Sequence, residues 1–260
     1  MTSTTNGKLP RSVRRLLIAA FWLLAWQIAS MAVDLEMLLP QPLAVLGRLV
    51  SLIGTLSFWQ SVLSSMGRIL LGLVGALLLG TVAALLTTRF PLLHDLISPL
   101  MSIARTTPVA SFIILALVWL PTGSLSIFIA LLMVLPIVWQ NVSQGIREID
   151  RDLLEMAKVY ELSPFTIFTA ITLPSVMPYF LAACTAGVGY AWKSGIAAEV
   201  LSTPKQALGT LLYDAKIYLN TADLFALTFV IILLSAGIER VVLRLLGRLS
   251  KTFMRGGDAA

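Results

Sequence analysis

Apolar residues run in long blocks separated by short charged stretches, and the blocks have the length needed to cross a bilayer. A spanning helix takes about 20 apolar residues, and charges are expensive in hydrocarbon, so charge-free gaps mark candidate spans. Eighteen uncharged residues lie between Arg15 and Asp34, and twenty between Arg68 and Arg89. The gap from Arg105 to Arg147 holds 41, interrupted by Pro121, Thr122 and Gly123, which is room for two helices joined by a tight turn. Of the 31 residues between Glu161 and Lys193, the part from Val176 onward is apolar. The last gap, Asp223 to Glu239, holds 15, and the apolar run continues to Leu246 if Arg240 and Arg244 snorkel. The pattern predicts an all-α polytopic membrane protein with six transmembrane helices. One 19-residue gap, between Arg48 and Arg68, is broken up by Ser51, Ser57, Gln60, Ser61, Ser64 and Ser65. It reads as an amphipathic helix lying at the interface and entering the second span near Met66. The predicted membrane domain covers residues 16–246, with tails at 1–15 and 247–260 and a polar loop at 143–175.

Composition narrows the class. Hydrophobic residues make up 58% of the 260 and charged residues 12%, against about 25% charged in soluble domains. The net charge of +6 does not signal nucleic acid, because the basic residues are scattered between apolar runs. The one cysteine, Cys184, sits in an apolar run and reads as a small buried hydrophobe. The one histidine, His94, has no second His or Cys nearby, so no metal site is expected, and it reads as a solvated residue at a membrane boundary. No cofactor is expected. Basic residues precede the first apolar block as in a secretory signal, but 18 residues exceed the usual core of about 7–15, so a retained helix is expected.

Charge also predicts orientation. Six spans place both termini on one side. That side carries 14 of the 19 Lys and Arg residues, and the other carries Arg48, Arg68, Lys193, Lys205 and Lys216. The excess places the termini, and the loop at 143–175, in the cytoplasm.

That loop has an unusual build. Arg147, Glu148, Asp150, Arg151 and Asp152 cluster just after the fourth span. A short amphipathic helix follows over Asp152–Tyr160, with Leu153, Met156 or Ala157, and Tyr160 at helical spacing on one face. Ser163-Pro164 then offers a helix start, serine as N-cap and proline at the first helical position. Pro174 precedes the fifth span, so the chain is expected to turn there. These features imply a rigid helical elbow with one apolar and one charged face. Its apolar face has two readings, a docking surface for a partner or a surface packed on its own protein or on headgroups.

The stretch EMAKVYELSPFTIFTAITLP, Glu155 to Pro174, resembles the EAA loop of bacterial ABC importer permeases. Glu155 and Ala157 match the first and third positions of that motif, and Ile171, Leu173 and Pro174 match its far end. Met156 replaces an alanine and Glu161 a glycine, so Glu161 is expected to end the turn in a different way. Further stretches, LLPQPLAVLGRL (38–49), FWQSVLSSMGRILLGLVGALLLG (58–80), RTTPVASFIILALVWLPTG (105–123), LPIVWQNVSQGIREID (135–150) and AWKSGIAAEV (191–200), are similar to nitrate/sulfonate/taurine-type permeases.

The resemblance implies a membrane-spanning permease subunit that imports a small solute, a nitrate/sulfonate/taurine-like anion or a vitamin precursor, and does not itself hydrolyse ATP; no G-x-x-x-x-G-K-[ST] phosphate loop is present. It implies a homodimer of permeases, two copies of a cytoplasmic ABC ATPase, an extracytoplasmic substrate-binding protein, and residence in a bacterial plasma membrane. It makes Leu153, Leu154, Glu155, Ala157, Tyr160, Glu161 and Pro174 the ATPase-coupling candidates, small Ala157 allowing close approach. Trp192, Lys193 and Glu199 are candidates for the translocation pathway. Lys193 reads as an attractor for an anion or part of an outer gate with Trp192, and equally as an interfacial anchor. Arg105 before Pro108 marks a helix break or simply faces the cytoplasm. Gly72, Gly75, Gly80, Gly187 and Gly189 read as close-packing positions. Residues 201–222 read as an external loop with a short helix. The competing classes are an ion-coupled secondary transporter, which calls for internal repeats, and a membrane enzyme, which calls for clustered Asp, His or Cys. Neither pattern is found in the sequence.

Overall fold

The computed structural model describes residues 10–255, and those residues form helices and connecting turns with no strand. The outer parts of both tails, 1–9 and 256–260, lie outside the described residues. In chain order the helices are α1 (Arg11–Val33), α2 (Pro42–Ile53), α3 (Leu56–Arg89), α4 (Pro91–Thr106), α5 (Val109–Ala116) and α6 (Thr122–Arg147). Then come α7 (Arg151–Val159), α8 (Pro164–Ile167), a π-helical turn (Phe168–Thr172), α9 (Leu173–Ser202), α10 (Leu208–Ile217) and α11 (Thr221–Arg255). Helix α1 already starts at Arg11 and α11 runs on to Arg255, so the inner parts of both predicted tails are helical.

Five helices are long and apolar enough to cross a membrane, and the bent pair α4–α5 makes a sixth when it is counted as one broken span. That third crossing departs from the expected straight helix. The axes of α4 and α5 differ by 106°. Pro108 supplies the cause: it has no N–H to continue the helix, and it drives Thr107 into an extended conformation (φ −77°, ψ 136°).

The predicted interfacial helix between Arg48 and Arg68 is also corrected. The chain forms two helices with a break at Gly54-Thr55, and α3 is already helical from Leu56. Ser61 and Ser65 are buried. With Arg68 and Gly72 they fall at i, i+4, i+7 and i+11, a polar and small stripe that faces the bundle rather than the headgroups.

Helices α3, α6 and α9 form the centre, and α11 packs along α9 and α2. The α3–α6 contact is close because side chains are missing from it. A Cβ on Gly72 would lie 2.5 Å from the Ile127 carbonyl oxygen, and one on Gly80 would lie 2.8 Å from Val138 Cβ. Ala76, fully buried, completes a small-xxx-small seam, the arrangement that lets helix backbones approach where lipid gives no hydrophobic drive. The outer helix α1 meets the rest through Trp26, stacked on Phe225 at 5.7 Å. Its exposed Leu, Ile, Phe and Trp side chains suit a lipid-facing surface.

Candidate functional site

Two regions carry the chemistry, one at each end of the bundle. At the first, α6 ends at Arg147 and the elbow begins. Asp150 caps α7, its carboxylate accepting the Asp152 N–H at 2.9 Å, which satisfies one of the free amides of the first turn. The helix closes with a pair of backbone bonds: Leu162 N–H to the Ala157 carbonyl (2.9 Å) and Glu161 N–H to the Lys158 carbonyl (3.1 Å). Glu161 sits at φ +52°. This is the left-handed helix end that glycine favours, so Glu161 does not end the turn differently, as the sequence suggested. It adopts the same conformation at a cost of about 1 kcal/mol. Ser163 then caps the next helix, its hydroxyl accepting the Thr166 N–H at 3.1 Å.

Proline also shapes the entry into α9. Leu173 N–H reaches back five residues to the Phe168 carbonyl, and the wider turn clears the Ala170 carbonyl from the ring of Pro174. The chain therefore does not turn sharply at Pro174; it passes through the π-turn into α9.

The elbow's burial reassigns its faces. Ala157 is fully buried within the chain, so it does not present itself to a partner. Leu154 is half-buried, and Leu153, Glu155 and Glu161 are exposed. The open apolar surface is formed by Leu153, Met156, Val159 (80% exposed), Tyr160 (72% exposed), Phe165 and Phe168. Val159, Phe165 and Phe168 were missed because the apolar face was drawn through Ala157. An apolar Phe next to the Ser163 cap was the available signal.

At the other end, α9 carries Trp192, Lys193 and Glu199, and only Lys193 is exposed. Trp192 is buried and donates its indole N–H to the Ile231 carbonyl at 3.2 Å, tying α9 to α11. Glu199 is fully buried and holds four groups. Arg68 gives Nε at 3.1 Å and Nη2 at 3.0 Å, Ser65 gives its hydroxyl at 2.6 Å, and Gly209 gives its backbone N–H at 3.3 Å. Ser65 in turn accepts the Leu208 N–H at 2.9 Å, and Arg68 also reaches the Gln206 carbonyl at 3.0 Å. A buried carboxylate is tolerable only with such full pairing.

Gly209 is required there, because a Cβ would lie 2.4 Å from Glu199 Cβ. Residues 201–222 are therefore not simply an external loop: the start of α10 is tucked into the bundle against α9. A second ion pair, Arg48 to Asp223 at 2.5 Å, joins α2 to α11. Sequence reasoning took Arg68 as a boundary charge and missed its place in the Ser61–Ser65–Arg68 stripe.

The break between α4 and α5 is polar. Arg105 donates to the Gln140 side-chain oxygen, and His94, at the other end of α4, lies against Trp139 with ring centroids 5.7 Å apart. His94 also approaches Asp95, Nδ1 to Oδ1 3.6 Å. Cys184 is buried in α9.

Residues 76–254 match the family of binding-protein-dependent transport system inner membrane components. The chain belongs to this family. As a permease of a binding-protein-dependent ABC importer, it is similar to relatives of the nitrate/sulfonate/taurine type. It is 32% identical over 226 residues to the putative aliphatic sulfonates transport permease SsuC of Escherichia coli K12, covering 86% of this chain and 85% of that one. It is 24% identical to the taurine transport permease TauC of the same organism, covering 85% and 83%. To the bicarbonate transport permease CmpB of a Synechocystis strain it is 30% identical over 162 residues, 61% of this chain and 56% of that protein's length. The fold matches a permease chain of a bacterial alginate ABC transporter crystallised with its alginate-bound periplasmic protein. There the TM-score is 0.60 at 14% identity, covering 92% of this chain and 93% of that one.

An importer permease of this family works with an ATPase and a solute-binding protein. The secondary-transporter reading falls away.

Proposed function

We propose that this permease carries a small oxyanion-bearing solute, with the elbow in the cytoplasm seated on a separate ABC ATPase. The chain itself hydrolyses no ATP, and two copies assemble with two ATPases. The observation that carries the coupling role is the elbow: a capped, stiff helix pair whose apolar side chains Met156, Val159, Tyr160 and Phe165 are left open by the chain's own fold. Docking there lets closure of the ATPase pair push on α7, and the continuous helix through the π-turn carries the push into α9. Leu153, Leu154, Glu155 and Tyr160 contribute to the seat, while Ala157, Glu161 and Pro174 shape the elbow that presents it.

The charge pattern supports a cytoplasmic elbow. The named relatives handle sulfonates, taurine and bicarbonate, all bearing an anionic oxygen group. An exposed Lys193, nine residues inside the end of α9, suits the outer half of a path for such a group. Trp192 and Glu199 hold α9 in place beside it without lining the path themselves.

The test is co-purification of the full chain with its candidate ATPase, with and without residues 151–160. Capture that survives the deletion sinks the coupling assignment. Labelling of an elbow cysteine only from outside intact cells sinks the orientation.

A further inference from the structure

We propose that Arg105, seated on Gln140 at the break between α4 and α5, is the inner cationic station of the anion's path. This rests on the importer reading and adds to it a residue and a depth.

The depth comes from α6. Gln140 lies seven residues before the helix ends at Arg147, or about 10 Å inside it at 1.5 Å per residue. His94 and Arg105 stand eleven residues apart on α4, yet they meet the consecutive residues Trp139 and Gln140. Helix α4 therefore crosses α6 at nearly one level instead of running along it. The 106° bend into α5 then falls at that level.

The composition of the break decides what covers it. Arg105, Thr106, Pro108, Ala110, Ser111 and Gln140 are all exposed in the single chain. Irregular backbone at membrane depth is tolerated only against protein or a water-filled cavity, and an arginine facing lipid there is costly. A lipid covering is disfavoured on both counts, which leaves the second permease copy or water, and an arginine charge with no carboxylate partner suits water.

The partners decide the chemistry. Among the described residues, the Arg48 charge is met by Asp223 and the Arg68 charge by Glu199. Arg105 has no carboxylate within ion-pair distance, and its side-chain partner is a neutral amide. Gln140 orients the guanidinium without cancelling its charge. A planar, permanently charged fork is the donor best matched to carboxylate, sulfonate or bicarbonate oxygens.

The experiment places a reporter thiol at Ser111 (Ser111→Cys) with Cys184→Ala, in the ATPase-bound complex in nanodiscs. Its rates are measured with anionic and cationic methanethiosulfonates of equal size. The anionic reagent is expected to react faster at low salt. The anionic-to-cationic ratio should fall about tenfold with Arg105→Gln and be retained with Arg105→Lys. If Arg105→Gln does not yield folded complex, raising the salt in the Arg105 protein serves instead, and the ratio should fall toward one.

A thiol that ignores both charged reagents overturns the proposal, because the break then faces lipid, where a lipid-soluble maleimide still reacts, or the second copy, where nothing does. A ratio indifferent to both charge removal and salt also overturns it. Failure of the importer reading shows separately, as absence of ATPase from the purified complex.

Discussion

The two ends of the bundle treat their polar and apolar groups in opposite ways. Around Glu199 a charge is buried completely, and Arg68, Ser65 and the Gly209 amide all converge on it. At the elbow the backbone is just as well satisfied, by Asp150, Ser163 and the bonds closing at Leu162, but the apolar side chains are left open. The first region completes itself; the second leaves apolar surface that the chain's own fold does not cover. A cluster with no spare hydrogen-bonding capacity belongs to architecture, whereas a stiff support holding unpaired apolar groups belongs to an interface.

That contrast is broken most severely at the closed end. Arg68→Leu strands a buried carboxylate and is expected to destabilise the protein by about 3–5 kcal/mol, seen as a large drop in thermal midpoint of the detergent-purified chain. The double change Arg68→Met with Glu199→Leu should recover most of that loss. If the single change leaves the midpoint unmoved, Glu199 is not enclosed as described. At the open end the effect moves from stability to affinity. Val159→Asp should weaken ATPase binding by roughly thirtyfold or more, about 2 kcal/mol, with the thermal midpoint of the isolated chain unchanged. A midpoint that falls with it would mean that Val159 packs on its own protein.

Two smaller changes sharpen the elbow's part. Asp150→Ala removes the cap of α7 and should cost about 1 kcal/mol of local helix stability, read as faster amide exchange in Arg151–Leu154. Glu161→Gly relieves the left-handed residue and should slow amide exchange at the elbow by up to about 1 kcal/mol, leaving ATPase affinity within error. Loss of affinity there would assign the Glu161 side chain a direct contact.

Much of this was legible in the sequence. Charge-free lengths located α1, α3, α6, α9 and α11, and Ser163-Pro164 announced its own cap. Local spacing carries that information. Spacing failed where the answer depended on distant residues. Nothing near Arg68 in the chain names Glu199, 131 positions away. Nothing near Ala157 tells which of two adjacent small or apolar residues turns inward. The α4–α5 bend was half legible: Pro108 forecasts a break, but the angle and the crossing level depend on Trp139 and Gln140. The serines in the first turns of α3 misled because a polar stripe reads alike whether it meets headgroups or a buried carboxylate.

The wide turn at Phe168–Thr172 bears on how much length variation this part of the chain tolerates. A helix transmits rotational phase as well as direction, and one residue gained or lost shifts everything downstream by about 100°. Between the elbow and Ala183, whose buried face must meet its neighbours, that shift is ruinous almost everywhere. The loose turn is the place where the winding already holds a surplus residue. Homologues that differ in length here should do so at this turn, keeping the phase of α9 constant while the distance to the ATPase seat varies by a single rise.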